Sequence, residues 1–457
     1  MRKEEKMARR GAGITMLLLV LLTSGLSAQS TANKLADPQD PFFPSRLATG
    51  EGKAIKASEF EPPEDCGECH ESLYMQWRGG MHANAWNDPS YTALHHLASK
   101  ETKGLTDRYC IACHTPIAVL AGEIKPGEDS KVSEISKKGV QCDFCHTVSG
   151  SKGIGNAAAI SSPGPIKRGP FRDSESPAHQ TAFSELHTRA EFCGMCHDVY
   201  HPVNGLPLEK TYTEWQEGPY PSRGVKCQDC HMTAGITHFQ KNPGKAALEG
   251  PDRDHIWTHT TVGVNAAMAN YLGFKQHAED ALKRLRSAAS LEVLPPSQAR
   301  AGNVASLKVK VTNVGAGHFL PTGLTETREM WLEVTVTGPG GEKLLESGKL
   351  DEKGEIGPEA VLYHTVFANS KGEPVGARVW EADYLLYDHR IPPLGYSLEK
   401  FSFQLPAGAK GKCQVQVKLL YRSLPQSLVN QLLGPQAPSW PVYEMARKEA
   451  SFDVDVE

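Results

Sequence analysis

One short pattern dominates the cysteine distribution of this 457-residue chain: Cys-x-x-Cys-His occurs five times and takes ten of the eleven cysteines. Its copies are Cys66, Cys69 and His70; Cys110, Cys113 and His114; Cys142, Cys145 and His146; Cys193, Cys196 and His197; and Cys227, Cys230 and His231. At this spacing two thiols can each bond one vinyl group of a porphyrin, while the adjacent imidazole binds the iron. The pattern therefore predicts five covalently bound haem c groups.

Three other uses of paired cysteines explain the pattern less well. Two Cys-x-x-Cys units can build a zinc site, and one unit can act as a redox dithiol, but neither use requires a histidine after all five pairs. A disulfide inside Cys-x-x-Cys would close too small a loop to constrain the unfolded chain. We therefore expect no disulfides, with Cys413 left as a buried free thiol.

Histidines are also numerous enough to fill the second axial position of each iron. The chain has 18 histidines, of which five belong to the motifs. Nine others lie between residues 66 and 259, namely His82, His95, His96, His179, His187, His201, His238, His255 and His259. Iron held by two imidazoles suits electron transfer, whereas a Met81 or Met232 thioether would raise the potential of its haem. His318, which lies between two glycines, either reaches a haem from the C-terminal region or belongs to a strand-end turn.

Composition excludes several classes of protein. The chain is 39% apolar and 22% charged, with 42 Gly and 31 Pro. This is rich in loops, but Gly and Pro stay below the roughly 25–30% typical of low-complexity disorder. No basic face indicates nucleic acid as a partner, and no long apolar run after the N terminus predicts a stable membrane span.

The first 28 residues have the pattern of a signal peptide. Five basic residues precede an apolar run at 14–22, and small residues follow up to Ala28. A retained anchor helix is the alternative, but this run is shorter than the roughly 20 residues that span a bilayer. Removal of 1–28, with five basic and two acidic side chains, would take the formal charge from −4 to −7. We expect a periplasmic or extracellular protein.

The sequence predicts four structural segments after the signal peptide. Residues 29–60 are expected to form an extended lead-in, and 61–262 a pentahaem cytochrome c domain of short helices and loops with the porphyrins as its core. Residues 263–293 are expected to form a connecting helix, with apolar positions at helical spacing over 264–289. Alternating stretches at 306–312, 330–336, 397–403 and 412–421 then predict an antiparallel β-sandwich domain over 294–457. The fold class is therefore mixed: a haem-cored, mainly α and loop multihaem cytochrome domain followed by the sandwich.

Segments 184–198, 211–215 and 224–232 resemble the multihaem cytochrome c family. More narrowly, they resemble relatives of the nitrifier tetrahaem cytochrome c and of hydroxylamine oxidoreductase that carry a C-terminal β-domain, and 313–323 and 326–331 are similar to the same subgroup. The resemblance implies closely packed haems, attachment at the ten motif cysteines and electron-transfer activity. This chain has five sites where the nitrifier carrier has four and hydroxylamine oxidoreductase has eight, so catalytic roles do not transfer.

The resemblance also indicates which histidines are the second axial ligands of the irons. His82 follows the first haem at a spacing common in such proteins, and His187, His201 and His259 occupy motif-like positions. His96 and His179 each lie 14 residues upstream of the first cysteine of a motif. The predicted second ligands are thus His82, His96, His179, His187, His201 and His259.

Three functions remain in competition at this point. The leading one is electron transfer between redox protein partners along mostly bis-histidine haems. The second is an oxidoreductase that acts on a small nitrogen or sulfur species at one haem with an open axial position. The third is a subunit of an extracellular cytochrome filament, formed by haem-to-haem self-association.

Overall fold

The computed structural model describes residues 36–128, 130–434 and 436–455. The predicted signal peptide lies outside the described residues. Residues 36–60 have little regular structure, but they are not a free extended segment. Phe42, Leu47 and Phe60 are buried in an apolar cluster with Ile117 and Leu120, because burial of their large apolar side chains is favourable.

Up to residue 262, the helices in the described part of the chain are short. They are α1 (Pro63–Cys69), α2 (Glu71–Arg78), α3 (Pro89–Thr102), α4 (Asp107–His114), α5 (Pro116–Leu120), α6 (Cys142–Thr147), α7 (Glu191–Gly194), α8 (Thr211–Gln216) and α9 (Cys227–His231). Proline at the first helical position starts α1, α3 and α5, where its missing N–H costs no hydrogen bond. The Asp88 carboxylate caps α3 by accepting from the N–H groups of Ser90 and Tyr91 at 2.8 and 3.2 Å.

Small sheets accompany these helices, a feature that the expected mainly α and loop arrangement did not include. The strands are β1 (Ala48–Thr49), β2 (Val148–Ser151), β3 (Ala159–Ser161), β4 (Ile166–Gly169), β5 (Gln180–Phe183), β6 (Val199–Tyr200), β7 (Pro207–Glu209), β8 (Gly244–Lys245) and β9 (Asp252–Arg253). They pair in the orders β1-β3-β2, β4-β5, β6-β7 and β8-β9. Such local pairing satisfies backbone groups of the long loops between the motifs. Single 3₁₀ turns occur at Ala57–Glu59, Ser136–Lys138, Leu186–Thr188, Pro221–Arg223 and Val379–Glu381.

The helical pattern at 264–289 forms two helices rather than one. They are α10 (Ala266–Tyr271) and α11 (Lys275–Ala288). Gly273 separates them with φ +88°, a left-handed conformation that glycine adopts without steric cost and that ends helices. The apolar side of α11, including Ala281 and Leu285, is buried as its periodicity predicts.

Antiparallel sheets form the rest of the chain. The remaining elements are β10 (Ala289–Leu294), β11 (Val304–Asn313), β12 (Glu329–Thr337), β13 (Lys343–Ser347), β14 (Leu362–Tyr363), β15 (Thr365–Ala368), β16 (Tyr384–Asp388), β17 (Tyr396–Gln404), β18 (Gly411–Arg422), α12 (Gln426–Leu433) and β19 (Tyr443–Val454). One sheet has the order β10-β11-β17 and a second the order β13-β12-β18-β19, with β14 also paired to β12. Strands β15 and β16 form a separate hairpin. The four predicted strand stretches lie within β11, β12, β17 and β18.

The two larger sheets share one apolar core. Every second residue of their central strands is fully buried, for example Leu307, Val309 and Val311 in β11, and Val415 and Val417 in β18. Each such side chain contributes about 1.5–3 kcal/mol by burial. Cys413 lies in the same core as a free thiol with no exposed surface, as predicted. The expected mixed fold is thereby confirmed at the level of helices combined with many strands. Within the described residues, no helix has the length and apolar character needed to cross a membrane.

Candidate haem-binding site

One cavity connects all five sequence motifs. Its volume is about 1680 Å³, and its lining includes all ten motif cysteines and all five motif histidines. Typical small-molecule pockets measure about 300–1,000 Å³, so this space exceeds what a single small ligand needs. Each motif lies on or at the end of a short helix, α1, α4, α6, α7 or α9, and residues three apart in a helix share a face. In four motifs one helix presents both cysteines to the cavity, and in the fourth motif, where α7 ends at Gly194, Cys196 reaches it from the following turn.

Cysteines of different motifs lie close enough inside this cavity to shift each other's pKa. Cys142 lowers the pKa of the Cys66 thiol, Cys196 raises that of Cys113, and Cys193 raises that of Cys227. The first motif therefore adjoins the third, and the fourth adjoins both the second and the fifth. All eleven cysteines are free thiols.

Burial also keeps thiols of this cluster uncharged. It raises the pKa of both Cys110 and Cys145 to about 12. These groups are therefore protonated thiols at neutral pH rather than thiolates.

The motif histidines are oriented through their Nδ1 atoms. In four of them Nδ1–H donates to a backbone carbonyl: His70 to Ala246 at 2.7 Å, His114 to Ala85 at 3.4 Å, His146 to Arg168 at 2.6 Å and His231 to Val262 at 3.1 Å. In the fifth, Nδ1 of His197 lies 3.9 Å from Oε1 of Glu209. A proton on Nδ1 leaves the Nε2 lone pair for a metal, and metal-bound histidines are generally oriented in this way.

Four motif histidines face a second imidazole. The ring centres are 6.4 Å apart for His70 and His179, 6.2 Å for His197 and His82, 6.3 Å for His146 and His259, and 6.4 Å for His231 and His318. Two imidazoles that bind one metal through nitrogen at about 2.0 Å have ring centres about 6 Å apart. The four spacings therefore fit one iron between each pair.

The second members of these pairs are oriented like the first. Nδ1–H donates to the carbonyl oxygen of a neighbouring residue in His179, His259 and His318, at 3.1, 3.1 and 3.0 Å. Nδ1 of His82 lies 3.3 Å from the Thr261 hydroxyl oxygen. Within the described residues, the Nε2 atoms of these four histidines make no hydrogen bond. All four therefore have Nε2 available for a metal.

Three predicted second ligands are placed differently. The His187 ring lies 5.8 Å from that of His146, but its Nε2 donates to the Cys145 carbonyl at 3.0 Å. His201 is buried outside the cavity lining, and its Nε2 donates to the Trp380 carbonyl at 3.0 Å. His96 is exposed and packs on His95. None of the three therefore presents a free Nε2 atom to a motif histidine.

Sequence reasoning left the role of His318 open and did not select it as a ligand. The structure places it on the loop between β11 and β12, more than eighty positions after the last motif. The available signal was the 313–323 segment, whose similarity to multihaem cytochromes with a β-domain singles out this loop. Spacing could not identify the residue, because its partner His231 belongs to a distant part of the chain.

The second motif has a different environment. The Tyr91 ring stacks on the His114 imidazole with ring centres 3.6 Å apart and planes 3° from parallel. In the described part of the chain, no second imidazole packs against His114. The Tyr91 hydroxyl and the His95 Nε2 are buried beside it without a hydrogen-bond partner, and both residues line the cavity. This part of the cavity therefore presents two buried polar groups, the Tyr91 hydroxyl and the His95 Nε2.

Burial keeps most of the facing imidazoles neutral. It lowers the pKa of His82 and His259 to about 4 and that of His231 to about 3. Metal binding requires the neutral form, so this burial favours it. His197 differs: burial lowers its pKa, but the Glu209 carboxylate outweighs burial and raises the pKa to about 9.

The cavity also contains cationic groups. Arg168, Arg284 and Arg328 line it. Arg284 donates through Nη2 to the Cys230 carbonyl at 2.5 Å, while its buried Nε has no partner. Haem carries two propionate groups, whose charge such guanidinium groups can neutralise. Cysteine pairs, oriented imidazoles and cations thus fit the requirements of haem c.

These features together support a multihaem c-type cytochrome. Residues 65–147, which contain the first three motifs, match the family described as "Cytochrome c554 and c-prime". A search of curated proteins finds no match.

Solved structures agree with this class at the level of the fold. The penta-heme cytochrome c552 from Thermochromatium tepidum overlays with a TM-score of 0.60 at 20% identity, covering 86% of this chain and 99% of that one. The CARDB domain of the PF1109 protein from Pyrococcus furiosus has a TM-score of 0.17 at 11% identity, covering 37% of this chain and 87% of that one. An Escherichia coli alpha-2-macroglobulin fragment has a TM-score of 0.18 at 15% identity, covering 37% and 16%. Only the first overlay is close enough to define the fold.

Proposed function

We propose that this chain is an exported pentahaem c-type cytochrome that transfers electrons between redox partners. The observation that carries the proposal is the single cavity, into which all five attachment motifs project. Five separate pockets would indicate five independent cofactors, whereas one shared space brings the cofactors next to one another. The predicted signal peptide supports export.

The roles of individual residues follow from their geometry. The ten motif cysteines would form thioether bonds, and the five motif histidines would bind iron through Nε2. His179, His259 and His82 would supply the second imidazole for the first, third and fourth haems. When bound, haem c supplies one-electron exchange, and a pair of imidazoles suits that role because the iron keeps the same ligands on reduction.

The proximity of thiols from different motifs supports a continuous electron path. Cys142 lowers the pKa of Cys66, so the first and third attachment sites are adjacent. The fourth site is adjacent to the second through Cys196 and to the fifth through Cys193. The neighbouring Cys145 thiol is influenced by Cys196, which links the third site with the fourth. Every attachment site thus has another attachment site beside it.

The net charge of the chain indicates which redox partners it would attract. The formal charge is −4 for the whole chain, and haem propionates would add to it. An acidic surface steers basic partners in encounters that weaken as salt rises. We therefore propose basic redox proteins as partners.

Reductive titration of the haem-loaded protein tests the proposed function. The protein is titrated anaerobically with a low-potential reductant, followed by reoxidation with a mild acceptor, while the haem absorption bands are recorded. We expect five electrons per chain to enter and leave reversibly. Fewer electrons, or haem that is reduced but not reoxidised by an outer-sphere acceptor, would contradict it.

A second candidate function concerns the haem of the second motif. Among the described residues, no imidazole is paired with His114 at the spacing of 6.2–6.4 Å that the other four pairs show, so this iron would have an open position for a small nitrogen or sulfur species. The buried Tyr91 hydroxyl and His95 Nε2 could hydrogen-bond to such a ligand. Carbon monoxide binding by the fully reduced protein tests this. One equivalent per chain supports an open site at this haem, and no spectral change leaves electron transfer alone.

A further inference from the structure

We propose that the β region is part of the haem-binding apparatus: His318 supplies the second imidazole for the fifth haem, and the buried Glu214–Arg390 ion pair holds it in position. This inference rests on the proposed function, because it requires haem at the fifth motif. It gives the sheets a redox role rather than a purely structural one.

His318 meets the geometric requirements of a ligand. Its ring centre lies 6.4 Å from that of His231, and the two planes are inclined by 20°. Its Nδ1–H donates to the Phe319 carbonyl at 3.0 Å, which leaves Nε2 unprotonated. Both imidazoles line the same cavity. These are the features that the His70–His179 and His146–His259 pairs also show.

Glu214 connects the His318 loop to the haem-binding region. It lies on α8, between the fourth and fifth motifs, and is 3% exposed. Its Oε2 accepts from the Phe319 N–H at 3.1 Å and from the Thr322 hydroxyl at 2.8 Å. One carboxylate oxygen thus fixes the backbone directly after His318 and the side chain four positions beyond it.

Arg390 completes this connection from the other side. Its Nη1 lies 2.5 Å from Oε1 of Glu214, and both side chains are almost fully buried. Next to it, Leu320 and Ile391 exchange two backbone hydrogen bonds at 2.9 and 3.0 Å. A buried carboxylate without its partners would be strongly unfavourable. Arg390 also donates to the Asp388 carboxylate at the end of β16, so the ion pair connects Glu214, and the loop that it holds, to the β region.

Gly315, three positions before His318, also has a packing role. A Cβ at Gly315 would lie 2.3 Å from the Ser287 carbonyl oxygen at the end of α11. The Gly315 N–H donates to the neighbouring Ala288 carbonyl at 3.0 Å. The loop can reach this position only because residue 315 lacks a side chain. Glycine is therefore required at position 315 by packing against the end of α11, and not only by the turn.

The test uses carbon monoxide binding by the haem-loaded, fully reduced chain. We compare wild type with His318→Ala, Glu214→Gln and Thr322→Val. The matched control is Glu329→Gln, because Glu329 also forms a buried ion pair, but its partner is Arg422 on β18. Circular dichroism and haem content establish that each variant is folded and loaded.

The expected result is one additional equivalent of bound carbon monoxide per chain in His318→Ala relative to wild type. Glu214→Gln and Thr322→Val should bind carbon monoxide at that same haem at least tenfold faster than wild type, while Glu329→Gln behaves as wild type. Low-temperature electron paramagnetic resonance should show loss of one low-spin haem signal in His318→Ala.

Two results would overturn the inference in different ways. No additional carbon monoxide in His318→Ala, with five haems still reversibly reduced, would refute the ligand while leaving the proposed function intact. An effect in His318→Ala but none in folded Glu214→Gln or Thr322→Val would refute the positioning role. Absence of haem from the wild-type fifth motif would instead contradict the proposed function itself.

Discussion

His82, which follows the first attachment motif, faces His197 of the fourth motif with ring centres 6.2 Å apart. The other pairs are equally non-local, since His179 faces the first motif and His259 faces the third. Each pair would place one iron between two distant segments of the chain. The cofactors would therefore hold this region together, in addition to carrying electrons.

Removal of a facing histidine should open one specific iron. His82→Ala, His179→Ala and His259→Ala should each bind one more equivalent of carbon monoxide than wild type in the reduced state. His201→Ala is the matched control, because its Nε2 already donates to the Trp380 carbonyl. Spectral titration measures the stoichiometry. An additional carbon monoxide in the control, but none in the three variants, would refute the pairing.

Replacement of the free cysteine should leave the haem content unchanged. Cys413 is fully buried in the core between the sheets. Loss of its sulfur in Cys413→Ala should lower the free energy of unfolding by on the order of 1 kcal/mol through the cavity created. Thermal unfolding and haem quantification check both expectations. A reduced haem content would show that Cys413 takes part in attachment.

Gly315→Ala should disturb the His318 loop. The new Cβ would meet the Ser287 carbonyl oxygen at 2.3 Å, so the loop or the end of α11 must shift. We expect destabilisation by about 1–3 kcal/mol together with faster carbon monoxide binding at one haem. Gly408→Ala is the matched control, because nothing lies within 4 Å of its added Cβ. Equal behaviour of the two variants would contradict the packing role of Gly315.

Glu326 should make stability depend on pH. Burial raises its pKa from 4.5 to about 8, since Arg328 and Arg390 only partly compensate and Glu209 raises it further. The folded chain therefore keeps a proton that the unfolded chain releases. This stabilisation is complete below about pH 4.5 and is lost as pH rises through 8, at about 1.4 kcal/mol per pKa unit.

Glu326→Gln tests this dependence directly, because glutamine is neutral at every pH. Melting temperatures measured from pH 5 to pH 9 should decline more steeply in wild type than in the variant. The variant should be the more stable protein at pH 9. Parallel curves for the two proteins would contradict the assignment of a protonated Glu326 to the folded state.

Much of the local structure could be predicted from the sequence, because it depends on nearby residues. The five motifs lie on five short helices, and the stretch 306–312 lies within β11 because alternation reports a half-buried strand. The break at Gly273 was not predicted, since the apolar spacing continues through it. The small sheets β4-β5 and β8-β9 were also missed, because two- to four-residue strands have almost no pattern.

Pairing of ligands could be predicted only in part. His82, His179 and His259 were among the predicted second ligands and face motif histidines. His187 and His201 have the same residue type and similar spacing, but their Nε2 atoms are used by backbone carbonyls. That difference depends on side-chain rotation and on long-range packing. His318 shows the same limit, because its place beside His231 is set by Glu214 and Arg390.

The mass of the intact, purified chain tests the central claim most directly. The protein is produced with cytochrome c maturation, unfolded in acid to release any non-covalent ligand, and analysed by electrospray mass spectrometry. The account predicts one species that carries five covalently bound haems. Fewer than five haems on the fully matured chain would contradict it.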